Sequence, residues 1–426
     1  MSEQCAVKKV TEITTEEVER IKEWINTEEY KEKNMAREGL VINPAHACQP
    51  LGAQLVAHGF EGTLPFVHGS QGCASYYRSA LNRHFREPAP AVSSAMTEDG
   101  AVFGGQNNLF EGLENAYTLY KPKMIAVFTS CMPEIIGDDL TAFIQNARNE
   151  GHIPEDFPVP YANTPSFNGT HIHGYDPMLK SILQTLGGDK KVEGKDNGSL
   201  NLIPGWVEPS DMKEIKRIAS EMGVNSILFP DTENVLNGPQ TGKFSMYPKG
   251  GVTIEQLKKT GSSRGTIGLG RLASGPAAMA LDSKFKIPFK VLDLPIGLKA
   301  TDRFVDALRQ MAGVTVPDSL NLERGQLLDI ITDMQAYLYH KKVGLVGDPD
   351  QLEALTEFLV DIDMMPIHVL TGTRDKKFEK RIQELTADIP HEVNVKSGGD
   401  MMLFHQWVKN EPVDLLIGNT YVKYIS

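Results

Sequence analysis

A chain of 426 residues with 41% hydrophobic side chains is too long for one ordinary domain and too apolar to be disordered, so two or three α/β units are expected. Its 43 Lys+Arg against 55 Asp+Glu give a net charge of −12, which argues against general nucleic-acid binding and for protein or small-molecule partners. The opening MSEQCAVKKVTEITTEEVERIKEW has no apolar signal core and no transmembrane run follows, which points to a cytoplasmic location where thiols stay reduced.

Up to about Asn34 the pattern is charged and helical, with Thr14 or Thr15 placed to cap it and acidic residues at the front, where the helix dipole favours them. From Val41 to Cys73 the chain is irregular and rich in Gly, Pro and Cys. MIAVFTS, 124–130, reads as a buried parallel strand ending at Cys131, with a helix after Gly137-Asp138-Asp139. Cys131 then lies at the carboxyl end of a strand, where open α/β sheets build their sites. GGDKKVEGKDNGS, 187–199, reads as a polar linker. LNLIPG, DMKEIKRIASEMG and SILFPD follow as strand, helix closed by Gly223, and strand. From Lys342, VGLVG is a strand, Asp348 and Pro349 serve as N-cap and first residue of the helix QLEALTEFLVDID, and MPIHVLTGT and VDLLIGN are further strands.

The expected fold is therefore α/β, with three Rossmann-like αβα domains built on parallel sheets. The expected boundaries are an N-terminal helical segment 1–40, a first domain 41–186, a linker 187–199, a second domain 200–341 and a third domain 342–426. The last strand has no covering helix after it, so the third domain is expected to be incomplete and the natural protein longer. No strand-to-helix turn spells GxGxxG or GxxxxGK(S/T), so neither a dinucleotide site nor a P-loop is supported.

Four cysteines, Cys5, Cys48, Cys73 and Cys131, are too few for a disulfide framework and are either buried apolar residues or metal ligands. PAHACQPLG, HGSQGCASYY and FTSCMPEIIG place three of them among Gly, Pro and small residues, where backbone can approach a bulky inorganic cluster. A cubane iron–sulfur cluster takes four thiolates. Cys5, in a polar tail, is a poor fourth, so if the other three bind a cluster, a partner subunit completes the set.

INPAHACQPLGA, VHGSQGCASYYRS, NRHFREP, SSAMTEDGAVFGGQNN, FTSCMPEIIGDDL and VPYANTPSF, in this order, resemble the nitrogenase molybdenum-iron protein beta chains. The resemblance runs from about Val41 to the end and is densest before Asp176; HGSQGC and HFREP lie closer to the molybdenum enzymes than to vanadium or iron-only relatives. It implies an eight-iron, seven-sulfur (8Fe-7S) P-cluster at an alpha–beta interface, with ligands falling on Cys48, Cys73 and Cys131 and a serine ligand on Ser166. It also implies an α2β2 tetramer with a nitrogenase alpha chain holding an iron-molybdenum cofactor. An ATP-hydrolysing iron protein, fed by reduced ferredoxin or flavodoxin, would dock on it, and the complex would reduce dinitrogen to ammonia. Assembly scaffolds and light-independent tetrapyrrole reductases share the architecture. The complete cysteine set with Ser166 argues against the first, and GGQNN and NTPSF against the second.

Read from its neighbours alone, Ser166 is a turn or N-cap residue after Pro165. Asp329 and Asp333, spaced i, i+4, share a helix face, solvated unless a cation bridges them. The resemblance makes them, with Glu87 and the Arg86 carbonyl, an iron or calcium site between two beta subunits. Phe103, in GAVFGGQNN, is either a core residue or, by the resemblance, part of the iron-protein docking surface. His171 and His173, read as alternating on a strand, point opposite ways and are taken as structural. Tyr76 and Tyr77 either shield a cluster or simply pack.

Overall fold

The computed structural model describes residues 14–30, 43–188 and 196–425. Cys5 and most of the expected linker, 189–195, lie outside the described residues. By contacts the chain divides into 1–42 and 43–426. In the first unit, the helix Thr15–Ile25 begins at a capping box: the Glu17 N–H donates to Thr14 Oγ1 and the Thr14 N–H to Glu17 Oε2.

Residues 43–426 carry three four-stranded sheets, every strand pair parallel. The first has β1 (Thr63–His68), β2 (Val92–Ser93), β3 (Met124–Thr129) and β4 (Tyr161–Ala162), in the order β2-β1-β3-β4. The second has β5 (Leu200–Ile203), β6 (Ser226–Leu228), β7 (Gly265–Leu269) and β8 (Phe289–Leu292), in the order β6-β5-β7-β8. The third has β9 (Lys342–Gly347), β10 (Met365–Thr371), β11 (Asn394–Ser397) and β12 (Leu415–Gly418), in the order β11-β10-β9-β12. The architecture is the expected α/β one. β1 and β3 are buried along their whole length, as strands covered on both faces must be, which is why β3 reads as a continuous apolar run.

Two helices fix the site. Gln49–His58 is buried at all ten positions and packs against His171–Leu186. The crossing is close enough to require glycine on both sides. A Cβ at Gly52 would fall 1.8 Å from the His171 carbonyl oxygen, and one at Gly174 would fall 1.9 Å from that of Gln49. His171 and His173 thus sit in the first turn of a helix, not on a strand. Thr170 caps that turn together with His173, which a short alternating pattern does not disclose.

Between the second and third sheets, the carboxylate of Asp350 accepts N–H bonds from Leu272 (2.8 Å) and Ala273 (2.9 Å). Burial pushes this carboxyl up to about 6, against those amides and Arg271, with Glu353 adding to the rise. A folded pKa above the unfolded one means that the native state holds the proton more tightly. Ionised Asp350 therefore costs stability above about pH 6, and the cost fades as pH falls toward the unfolded value.

Gly174→Ala should lower stability by about 2 kcal/mol or more, because backbone atoms cannot yield as a side-chain tip can; thermal unfolding checks it. Asp350→Asn removes the ionisable group, so its stability relative to the parent should rise by about 1 kcal/mol between pH 5 and pH 8 in the same assay.

Candidate cluster site

All four expected ligands stand where a helix begins. Cys48 is the N-cap of Gln49–His58, with its thiol making no cap bond. Cys73 is in the first turn of Gln71–Phe85 behind the N-cap Ser70, Cys131 opens the short helix Cys131–Ile136 at the end of β3, and Ser166 opens the 3-10 turn Ser166–Asn168. The N–H groups of the two longer helices, Gln49–His58 and Gln71–Phe85, give the site a positive edge that favours thiolate and anionic sulfide.

The three thiols are brought together. The Cys48 thiol is pushed up by burial, pulled down by the Ser166 hydroxyl, raised again by Cys131 and Cys73, and lowered by Tyr77. Tyr77 feels the same group from the other side: burial raises its hydroxyl, followed by Cys73, Cys48 and Cys131. None of the cysteines is sealed away; each is partly exposed and unpaired. Tyr77 is buried, whereas Tyr76 beside it is 55% exposed. Ser166 Oγ is buried and forms no hydrogen bond of ordinary geometry. Beyond its interaction with Cys48, this buried hydroxyl has bonding capacity to spare on the side of the thiols.

Residues that sequence reading missed hold this arrangement. Gln49 Nε2 donates to the Pro165 carbonyl at 2.8 Å, tying the residue after Cys48 to the one before Ser166. Thr129 Oγ1 accepts from the Thr164 N–H at 2.7 Å and donates to Glu134, which also accepts from Asn163. That network locks the end of β3, and with it Cys131, to the Ser166 turn. These are ordinary polar side chains whose partners come from distant loops, so no local signal marks them.

Beyond the thiols, Ile135 (73% exposed) and Phe167 (67%) stand open to solvent on the helix and turn that carry Cys131 and Ser166. Phe103 is 86% exposed at the end of the helix Glu98–Phe103, so it is not a core residue. The helix Glu98–Phe103 packs against Cys131–Ile136. The turn after Phe103 is anchored by the Gly105 N–H on Asp138, whose Oδ2 lies 3.1 Å from Nε2 of the fully buried His68. Arg86 is the left-handed cap that ends Gln71–Phe85, and Glu87 follows it, half-buried. Asp329 and Asp333 are exposed on the helix Asp318–Leu338, which has no buried residue. Among the described residues no three His, Cys, Asp or Glu side chains gather tightly enough for a single metal ion. Glu87, Asp329 and Asp333 are therefore not brought together within this chain.

Residues 48–426 match the family model described as nitrogenase component 1 type oxidoreductase. The nitrogenase molybdenum-iron protein beta chain of Clostridium pasteurianum is 48% identical, covering 92% of this chain and 85% of its own length. That of Nostoc sp. is 46% identical, covering 96% and 80%, and that of Azotobacter vinelandii 44% identical, covering 96% and 79%. A solved structure described as nitrogenase Cp1 at pH 6.5 superposes with a TM-score of 0.88 at 48% identity, over 91% of this chain and 84% of that one.

Proposed function

This chain belongs to the nitrogenase component 1 type oxidoreductases, among the molybdenum-iron protein beta chains, and from that premise we propose that Cys48, Cys73 and Cys131 hold half of an 8Fe-7S P-cluster whose other half an alpha chain supplies. The observation that carries the reading is the convergence of three partly exposed thiols on one buried hydroxyl. The donor set fits the group: thiolates suit iron–sulfur chemistry, three are too few to close a cluster, and the site opens to solvent beside exposed apolar side chains. When bound, the cluster supplies one-electron transfer between the docked iron protein and the iron-molybdenum cofactor of the alpha chain, where dinitrogen is reduced to ammonia.

This chain's residues serve that transfer by placing ligands, excluding water and handling one proton. Tyr77 covers the thiols from inside the fold. Ser166 Oγ must lose its proton to become a ligand, and as an alkoxide it is a much harder donor than a thiolate, so it pairs best with more oxidised iron. Electron loss and proton loss are thereby coupled at Ser166. No acid, base or nucleophile for the reduction itself is assigned to this chain.

The remaining assignments rest on the family. Phe103 belongs to the docking surface for the ATP-hydrolysing iron protein, which draws on reduced ferredoxin or flavodoxin. Asp329, Asp333, Glu87 and the Arg86 carbonyl hold an iron or calcium ion between beta subunits of an α2β2 tetramer. The whole works in the cytoplasm; consistent with this, no helix among the described residues is long and apolar enough to cross a membrane.

Cys73→Ala, made in the tetramer purified under argon, should lose the P-cluster paramagnetic resonance signals and substrate reduction; retention of both would refute the ligand assignment. Ser166→Ala should keep most of the activity but abolish the pH dependence of the oxidised cluster's potential. In the parent that potential should fall as pH rises, by about 59 mV per pH unit for one proton per electron. An unchanged slope in the variant would refute the coupling.

A further inference from the structure

Cys48 stands at the end of an irregular strap, residues 43–48, that no sheet holds. Its anchors come from elsewhere in the chain. Asn43 Nδ2 donates to the Gly399 carbonyl at 2.8 Å, and Asn419 Nδ2 donates to the Pro44 carbonyl at 2.7 Å. Gly372 lies so close that a Cβ there would meet the Ala45 carbonyl oxygen at 2.6 Å. All three partners follow strands of the third sheet.

The last anchor before the thiol is His171. Its backbone N–H donates to the Ala47 carbonyl at 2.9 Å, and its ring Nδ1 accepts from the Ala47 N–H at 3.2 Å. Because Nδ1 accepts, it carries no proton, and the ring hydrogen sits on Nε2, which donates to Asp348 at 3.0 Å. The ring also packs edge-on against Trp206, with centroids 4.7 Å apart, and Trp206 in turn takes a bond from Gln351 at its carbonyl. One imidazole is thus gripped by residues from the segments bearing all three sheets.

Asp348 shows that this grip is favoured over a competing local bond. It is the N-cap of Pro349–Asp361, the position where its carboxylate would ordinarily bond a first-turn N–H, yet it makes no cap bond. The bond to His171 replaces it. On the other side of the clamp, His171 follows the Ser166 turn by five residues and begins the helix that crosses Gln49–His58. Ala47 is thus held, one residue before Cys48, by the helix that the Ser166 turn leads into.

We propose that His171, oriented by Asp348 and Trp206, is a positioning residue that fixes Cys48 relative to Ser166, so that the third sheet sets the geometry of a ligand carried by the first. This rests on the cluster reading above. In a cluster whose potential follows ligand placement, loosening the clamp alters its electronics without removing a ligand.

The test uses the argon-purified tetramer with His171→Leu, which removes both ring hydrogen bonds, and His171→Asn, whose Oδ1 can replace Nδ1 as acceptor for the Ala47 N–H. In His171→Leu, iron content should match the parent while the potential and paramagnetic resonance of the oxidised cluster shift. His171→Asn should restore most of the shift. A crystal structure of the leucine variant should show the Cys48–Ser166 separation changed. Asp348→Asn, which keeps the side-chain shape and an acceptor, should move the same signals in the same direction by less, and it serves if the leucine variant does not accumulate. Unchanged potential and spectrum in His171→Leu or, where that protein does not accumulate, in Asp348→Asn would overturn the proposal and leave His171 a purely structural residue. A parent tetramer without P-cluster iron would instead overturn the cluster reading.

Discussion

The contact between two backbones at Gly52 and Gly174 governs the geometry of everything around it. Helices normally pack 8 to 10 Å apart because side chains keep them there. Here each glycine leaves room for the other helix's carbonyl oxygen, and a single methyl on either would collide with it. Because Cys48 begins one of these helices and the Ser166 turn leads into the other, the crossing decides how near a thiol comes to a hydroxyl. The Gln49–Pro165 bond and the His171–Ala47 pair then fix the rotation of one helix about the other. Two residues with no side chain thus let the segments bearing Cys48 and Ser166 approach each other.

The same economy explains the electrostatics. A site that gathers thiolates needs compensation for their mutual repulsion, and here burial, followed by Cys131 and Cys73, raises the Cys48 thiol. Helix N-termini supply part of the balance through backbone dipoles that add no titratable group and need no reorganisation. The half-exposed sulfurs border a surface that also shows Tyr76, Ile135 and Phe167, a combination unfavourable in water and suited to coverage by another chain.

Much of this was legible from the residues. Long apolar runs such as MIAVFTS and VGLVG gave buried strands, because both faces of a parallel sheet are covered, and the punctuating glycines gave the ends of helices. Short strands were harder: β2 and β4 span two residues each, and β11 carries Asn and Lys among its four, so none has a periodicity to detect. The His171–His173 pair was misread because alternation over three residues fits a strand and a helix start equally well. Asp348 was placed correctly as an N-cap, but its lost cap bond depends on a histidine 177 positions away, which no local pattern encodes. The cysteines were recognisable as a set through the long motifs around them; that their sulfurs meet is a property of the fold.

The strap before Cys48 carries a consequence for how the protein is made. Its supports, Gly372, Gly399 and Asn419, lie more than 300 positions downstream. A chain still emerging from the ribosome can form the first sheet and its thiol-bearing helices, yet it lacks the wall against which Ala45 and Pro44 rest. Cys73 and Cys131 can therefore reach their native setting before the third sheet exists, whereas the strap before Cys48 has no anchor until Gly372, Gly399 and Asn419 have been made.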